Sequence, residues 1–123
     1  MRDYKKIKAW QHADDLTVAI YEATKTFPKE ECYGLTSQLR RAAYSVPANV
    51  VEGAARNSQK DYLHFLQIAR ASLAETHYFL HLSLRLGYFD QSHGAVLLQQ
   101  AETVARVLAG LMRAVGQEVQ SVA

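Results

Sequence analysis

One cysteine in the whole chain cannot close an internal bridge, so Cys32 belongs to no disulfide framework and a reducing, cytoplasmic setting is expected. Long apolar runs are missing too, and none approaches the ~20 residues that a bilayer-crossing helix needs. The N-terminal MRDYKKIKAW is positively charged, but His12, Asp14 and Asp15 follow where a signal peptide requires an unbroken apolar stretch. The six glycines are scattered and form no loop able to cradle phosphates, so no nucleotide cofactor is expected. Strand-type alternation of apolar and polar residues is absent.

Catalytic and metal-binding sets are equally sparse. A di-iron bundle needs Glu residues plus Glu-x-x-His from paired helices. Here the nearest approaches are Asp61-x-x-His64 and the reversed His12-x-x-Asp15, and no histidine follows His93. His77 and His81 stand four apart on one helical face, yet no third ligand accompanies them, which makes a solvated or interface pair the simpler reading. Cys32 follows Glu30 and Glu31, whose charges raise a thiol pKa rather than activate the sulfur. The expectation is a protein without catalytic residues, metal or cofactor, and so not an enzyme.

What the chain does contain is a soluble-protein balance, 49% hydrophobic and 21% charged, with a net charge of +2. The charge is uneven. The first 60 residues hold ten Lys and Arg against seven Asp and Glu, and the remainder four against five. A basic excess of this kind serves solubility or marks a weak footprint for a polyanion.

Turn-forming residues divide the chain into four long segments. Pro28 closes the first, Arg56-Asn57-Ser58 the second, and Gly87 the third. Within them apolar residues recur at helical spacing: Ala13, Leu16, Ile20, Ala23 and Phe27; Tyr62, Phe65, Ala69, Leu73, Leu80 and Leu84; Leu97, Ala101, Val104, Leu108, Leu111 and Val115. Helices are predicted over about 7–27, 33–56, 59–86 and 91–119. Ser58 is placed to cap the third, Asp90 or Ser92 the fourth, and Gly87 suits the left-handed residue that ends the third. Short connections force neighbouring helices antiparallel, giving an all-α, up-and-down four-helix bundle spanning residues 1–123 as one domain.

The second helix is the informative one. Leu35, Leu39, Ala42, Val46, Val50 and Gly53 fall on one stripe that faces the core, while Gln38, Arg41, Ser45, Asn49, Glu52 and Arg56 form a second, polar stripe. A third sector carries Arg40, Tyr44, Pro47, Val51 and Ala54, leaving no plainly wet side. Two readings follow. The polar stripe makes hydrogen bonds between helices of one chain, with Glu52 and Arg56 pairing four apart. Alternatively another subunit covers this helix, with Tyr44, Pro47 and Val51 packed across the interface and Arg41, Asn49 and Glu52 aligning it. Arg41 then requires an acid from elsewhere, Glu75 or Asp15. Pro47 inside the helix removes one backbone hydrogen bond, and a kink over residues 44–47 is expected.

The run QLRRAAYSVPANVVEGAAR over residues 38–56, together with Phe27-Pro28, Tyr33-Gly34-Leu35 and FLQIARASLAE over residues 65–75, resembles the proteins encoded in intervening sequences of 23S ribosomal RNA genes. The likeness covers nearly the whole chain. The accessory variability determinant of diversity-generating retroelements is similar to the same family. Pro47 stands where such proteins commonly carry another residue. The resemblance implies a four-helix bundle assembled as a ring-shaped homo-oligomer, a pentamer, with nucleic-acid binding as in the retroelement relative. By position it implies that Arg40, Arg41 and Arg56 are the basic residues of helix two, with Asn49, Glu52 and Gly53 structural.

Two functions remain open from the sequence. In one, a non-enzymatic oligomer binds RNA or DNA phosphates through Lys5, Lys6, Lys8, Arg40, Arg41, Arg56 and Lys60, with multivalency compensating for modest charge. In the other, the protein is a scaffold or accessory subunit for a protein partner, anchored by Tyr44 and Val51 and by whichever of Tyr78, Phe79, Tyr88 and Phe89 lie outside the core.

Overall fold

The computed structural model describes residues 2–122. Four helices dominate it: α1 (Lys8–Ala23), α2 (Leu35–Ala54), α3 (Gln59–Arg85) and α4 (Gln91–Val122). Single 3-10 turns occupy Tyr4–Lys6, Thr24–Thr26 and Lys29–Glu31, and no strand occurs among the described residues. The first two helices are shorter than their apolar periodicity predicts. The phase set by Ile20 and Ala23 continues to Phe27, but the last turn tightens to 3-10 geometry before Pro28, whose predecessor is steered into extended backbone. The fourth helix runs a turn beyond its expected end.

Each helix packs on the next, and α1 also packs on α4, which closes the bundle around one core. Ile20, Leu39, Val50, Leu66 and Ala69 are fully enclosed there, with Leu16, Val46, Leu80, Leu97, Val104 and Leu108 nearly so. All but Leu66 belong to the expected apolar stripes; on α3 Leu66 takes the core place expected of Phe65, and Phe65, Leu84 and Leu111 are only partly buried. Connections of a few residues join α2 to α3 and α3 to α4. At the first, the Ser58 hydroxyl accepts from the Asp61 N–H at 3.1 Å. At the second, Gly87 takes φ +74, a left-handed backbone that costs glycine nothing, and the Asp90 carboxylate accepts from the His93 N–H at 2.8 Å.

Gly53 lets α2 and α3 approach closely. A Cβ on Gly53 would lie 2.9 Å from Tyr62 Cδ1, 3.0 Å from Phe65 Cβ and 3.2 Å from the Tyr62 carbonyl oxygen. Midway along the same contact, Ser45 Oγ and Ser72 Oγ are 2.9 Å apart, and Asn49 Nδ2 donates to the Ser45 carbonyl at 2.8 Å and to Ser45 Oγ at 3.1 Å. The polar stripe of α2 is therefore spent partly on hydrogen bonds inside one chain.

Pro47 does not break α2, which is helical through it. Lacking an N–H, Pro47 leaves the Ala43 carbonyl without its usual donor. The Thr17 hydroxyl of α1 fills the place, 3.2 Å from Ala43 O and 2.8 Å from Ala13 O. Pro47 is also buried within the monomer. Its assignment to a subunit interface is thus corrected: the residue is enclosed by its own chain. Ala54 is buried as well, and α2 does keep a solvent face, made of Ser37, Gln38, Arg41, Tyr44, Ala48 and Glu52, contrary to the expectation that it has no wet side.

Candidate nucleic-acid interface

The candidate cations divide into two groups by their place in the bundle. At the N-terminus, the Asp3 carboxylate accepts from the Lys5 N–H at 3.1 Å and caps the first 3-10 turn. Arg2 then fastens this segment to the far end of α2. Its Nη1 donates to the Ala54 carbonyl at 3.3 Å and to the Arg56 carbonyl at 2.8 Å, its Nη2 donates to Gln59 Oε1, and the guanidinium lies 4.3 Å above the Tyr62 ring. Those two carbonyls lie where α2 ends, which leaves its last C=O groups without helical donors. The anchoring carries Lys5, Lys6 and Lys8 to the end of the bundle that also holds Arg56 and Lys60.

Within that cluster Arg56 is engaged. It pairs with Glu52 at 2.7 Å and lies 4.6 Å above the Phe65 ring. Both members of the pair are about half exposed, so the bridge is worth a few tenths of a kcal/mol. Lys5, Lys6, Lys8 and Lys60 are exposed, and among the described residues no carboxylate lies within ion-pair distance of any of them. They are free to meet phosphates.

Arg40 and Arg41 stand apart from this group. Arg41 lies thirteen residues before Ala54, where α2 ends, about 20 Å along the helix at 1.5 Å per residue, and Arg56 lies beyond that end. Arg40 is half-buried and ties α2 to the end of α1: Nε donates to Thr24 Oγ1 at 2.8 Å, Nη2 donates to the Tyr21 carbonyl at 3.3 Å, and the guanidinium lies 4.6 Å above the Tyr21 ring. Arg41 is exposed, and neither Glu75 nor Asp15 reaches it. Among the described residues its one side-chain hydrogen bond is with Gln38 Oε1 at 3.5 Å, and it stands at the solvent edge of the α1–α2 cleft beside Tyr21 and Arg40.

Of the expected interface residues, Tyr44 is 46% exposed, Val51 is half-buried and Glu52 is exposed. Asn49 is turned inward to Ser45 and Pro47 is enclosed. Among the aromatics, Phe89 is core, Phe79 and Tyr88 pack against it, and Tyr78 is exposed. His77 and His81 are exposed on α3, and no group of three His, Cys, Asp or Glu converges among the described residues. Nor is any described helix long and apolar enough to cross a membrane.

At the opposite end of the bundle, Glu31 joins two connections far apart in the chain. Its Oε1 accepts from the Leu35 N–H at 3.0 Å, which caps α2, and its Oε2 accepts from the Tyr88 hydroxyl at 2.8 Å. The backbone and tyrosine donors hold the Glu31 carboxyl below the usual carboxylate range, and the same contact raises the Tyr88 phenol. A lowered acid contributes stability that is present above its unfolded pKa and lost as pH falls through the folded one; the raised phenol contributes below its ordinary pKa and loses this on the alkaline side. Glu31→Ala is therefore expected to lower the unfolding temperature at neutral pH, with the gap from wild type closing as pH falls below about 4. A gap constant across that titration would show that the carboxylate is not what matters.

A family model described as 23S rRNA-intervening sequence protein matches residues 5–110. The chain belongs to this family. Curated proteins give no match. Among solved structures, one of a protein of unknown function from the S23 ribosomal protein family of Bacteroides thetaiotaomicron VPI-5482 is similar, with a TM-score of 0.78 and 22% identity over 85% of this chain and 97% of that one. At that identity the likeness shows the fold. Pro47 is accommodated within it by the Thr17 hydroxyl, without interrupting the helix.

Proposed function

We propose that this member of the 23S rRNA-intervening sequence protein family is a non-enzymatic, cytoplasmic protein that binds RNA or DNA as a homo-oligomer. One observation carries the reading: Lys5, Lys6, Lys8 and Lys60 are gathered at one end of the bundle, exposed and without carboxylate partners among the described residues. Self-association into a ring, a pentamer by resemblance, would multiply these few cations into a polyvalent surface. The residual outer face of α2, with Tyr44, Val51 and Glu52, supports such an assembly, without Pro47.

Lysine-to-phosphate contacts act through counterion release, with a slope of log affinity on log salt of about −0.9 per phosphate neutralised on duplex DNA. The quadruple variant Lys5→Gln, Lys6→Gln, Lys8→Gln, Lys60→Gln is expected to flatten that slope by up to about 3.6 for a single bound protomer, and to abolish retention above about 0.1 M salt. Light scattering on the same samples reports assembly. Absence of polynucleotide binding by assembled wild-type protein at low salt would refute the nucleic-acid reading, and a monodisperse monomer would refute the oligomer.

A second reading, a scaffold for a protein partner, is favoured by Tyr33, which is 95% exposed beside Cys32. Recovery of a defined protein partner after nuclease treatment, lost in Tyr33→Ser, would support it.

A further inference from the structure

We propose that the cleft between the C-terminal half of α1 and the N-terminal half of α2 is a binding site for a phosphoryl group, held by Arg40, Arg41 and the hydroxyls of Thr36 and Ser37. The cleft has a volume of about 300 Å³ and is also bordered by Tyr21 and Tyr44. Its lining contains two guanidinium groups and no carboxylate. Two other hollows of the bundle each include an acid, Glu102 between α3 and α4 and Asp15 between α1 and α4. An occupant of this cleft must therefore be rich in acceptors and negatively charged.

Three observations point to the phosphoryl group in particular. The first is Thr36, which is only 8% exposed and whose Oγ1 has no hydrogen-bond partner. A buried hydroxyl left unpaired is costly, and because Oγ1 is sealed from solvent where it stands, it meets a ligand oxygen only by rotating about χ1 toward the cleft. The second is Arg40, whose Nε and Nη2 are taken up by Thr24 Oγ1 and the Tyr21 carbonyl while Nη1 has no acceptor among the described residues. Thr24 Oγ1 donates in turn to the Ile20 carbonyl at 2.8 Å, which leaves it as the acceptor for Arg40 and fixes the guanidinium in place before any ligand arrives. The third is that the neighbouring acids are already used: Glu31 by the Leu35 N–H and Tyr88, Glu22 by Lys25 at 3.0 Å. Nothing nearby neutralises Arg41.

These donors come from several directions, which suits the three outward oxygens of a phosphoryl group better than the two of a carboxylate. Thr36 and Ser37 also lie in the first turn of α2, and no acceptor among the described residues takes their backbone N–H groups. The cleft exceeds the size of bare phosphate, leaving room for an ester substituent. This site is separate from the lysine cluster and does not rest on the nucleic-acid reading.

The test titrates the full chain with inorganic phosphate, AMP, adenosine and a short single-stranded DNA, following the amide NMR signals of residues 35–41. Saturable shifts with phosphate and AMP but not adenosine are expected. AMP binding more tightly than phosphate would identify an ester as the ligand, and displacement of AMP by the DNA would identify the polynucleotide backbone as its source. Arg41→Ala is expected to weaken binding about tenfold or more, and Thr36→Val about fivefold with folding stability unchanged or raised, since the lost hydroxyl has no protein partner. The quadruple lysine variant should bind phosphate as wild type does. Shifts that stay linear, adenosine binding equal to AMP, or Arg41→Ala and Thr36→Val both binding like wild type would overturn the proposal.

Discussion

Gly53→Val is expected to destabilise the fold by about 3 kcal/mol, the upper part of the range for overpacking a well-packed contact. The valine Cβ alone would stand 2.9 Å from Tyr62 Cδ1 and 3.2 Å from the Tyr62 carbonyl oxygen, and the latter is backbone that cannot swing aside. The α2–α3 pair must separate, and with it the Ser45–Ser72 contact further along. Gly53→Ala meets the same clash with fewer atoms and gains about 1 kcal/mol of helix propensity, so its loss should be smaller. Urea denaturation of both variants gives the comparison. A Gly53→Val protein as stable as wild type would mean that the helices are not pressed together at this point.

Leu66→Ala should cost a similar amount, about 3 kcal/mol or somewhat more, by a different route. Leu66 is wholly enclosed in the first third of α3, so truncation removes apolar contact and leaves a void that the packed neighbours fill only in part. The loss should appear as a lower urea midpoint with unchanged helical circular dichroism at zero denaturant. A drop under about 1 kcal/mol would show that the surrounding helices close the gap readily.

The architecture was legible because it rests on periodicity. Leu97, Ala101, Val104 and Leu108 announce a buried face by spacing alone, and Ser58, Gly87 and Asp90 mark helix ends through chemistry local to a few residues. The polar stripe of α2 was visible, yet whether it faced another helix or another subunit was not, since periodicity gives a direction and not an occupant. Ser45 and Asn49 turn out to serve the chain's own α3 contact. Pro47 misled because a proline in an outward sector has the look of a contact residue, when its own chain encloses it. The division of the basic residues into a lysine end and an arginine cleft was also hidden. It follows from Arg2 gripping the carbonyls of Ala54 and Arg56, and no local pattern around Arg2 signals a partner so far along the chain. Glu31 and Tyr88 were hidden for the same reason, and Thr36 could be recognised as unpaired only once every neighbour was in place.

The Thr17–Ala43 contact does more than tolerate a proline. Alanine-lined surfaces, such as Ala9 and Ala13 on α1 and Ala43 on α2, are smooth and offer little resistance to one helix sliding along another. A single carbonyl deprived of its intrahelical donor, facing a single hydroxyl on the opposite rod, distinguishes one register from the next. Displacing α1 by a turn, about 5.4 Å, would orphan that oxygen in a dry seam. The proline thus acts as a notch and the threonine as its pawl, indexing the first two helices axially before the remainder of the bundle closes around them.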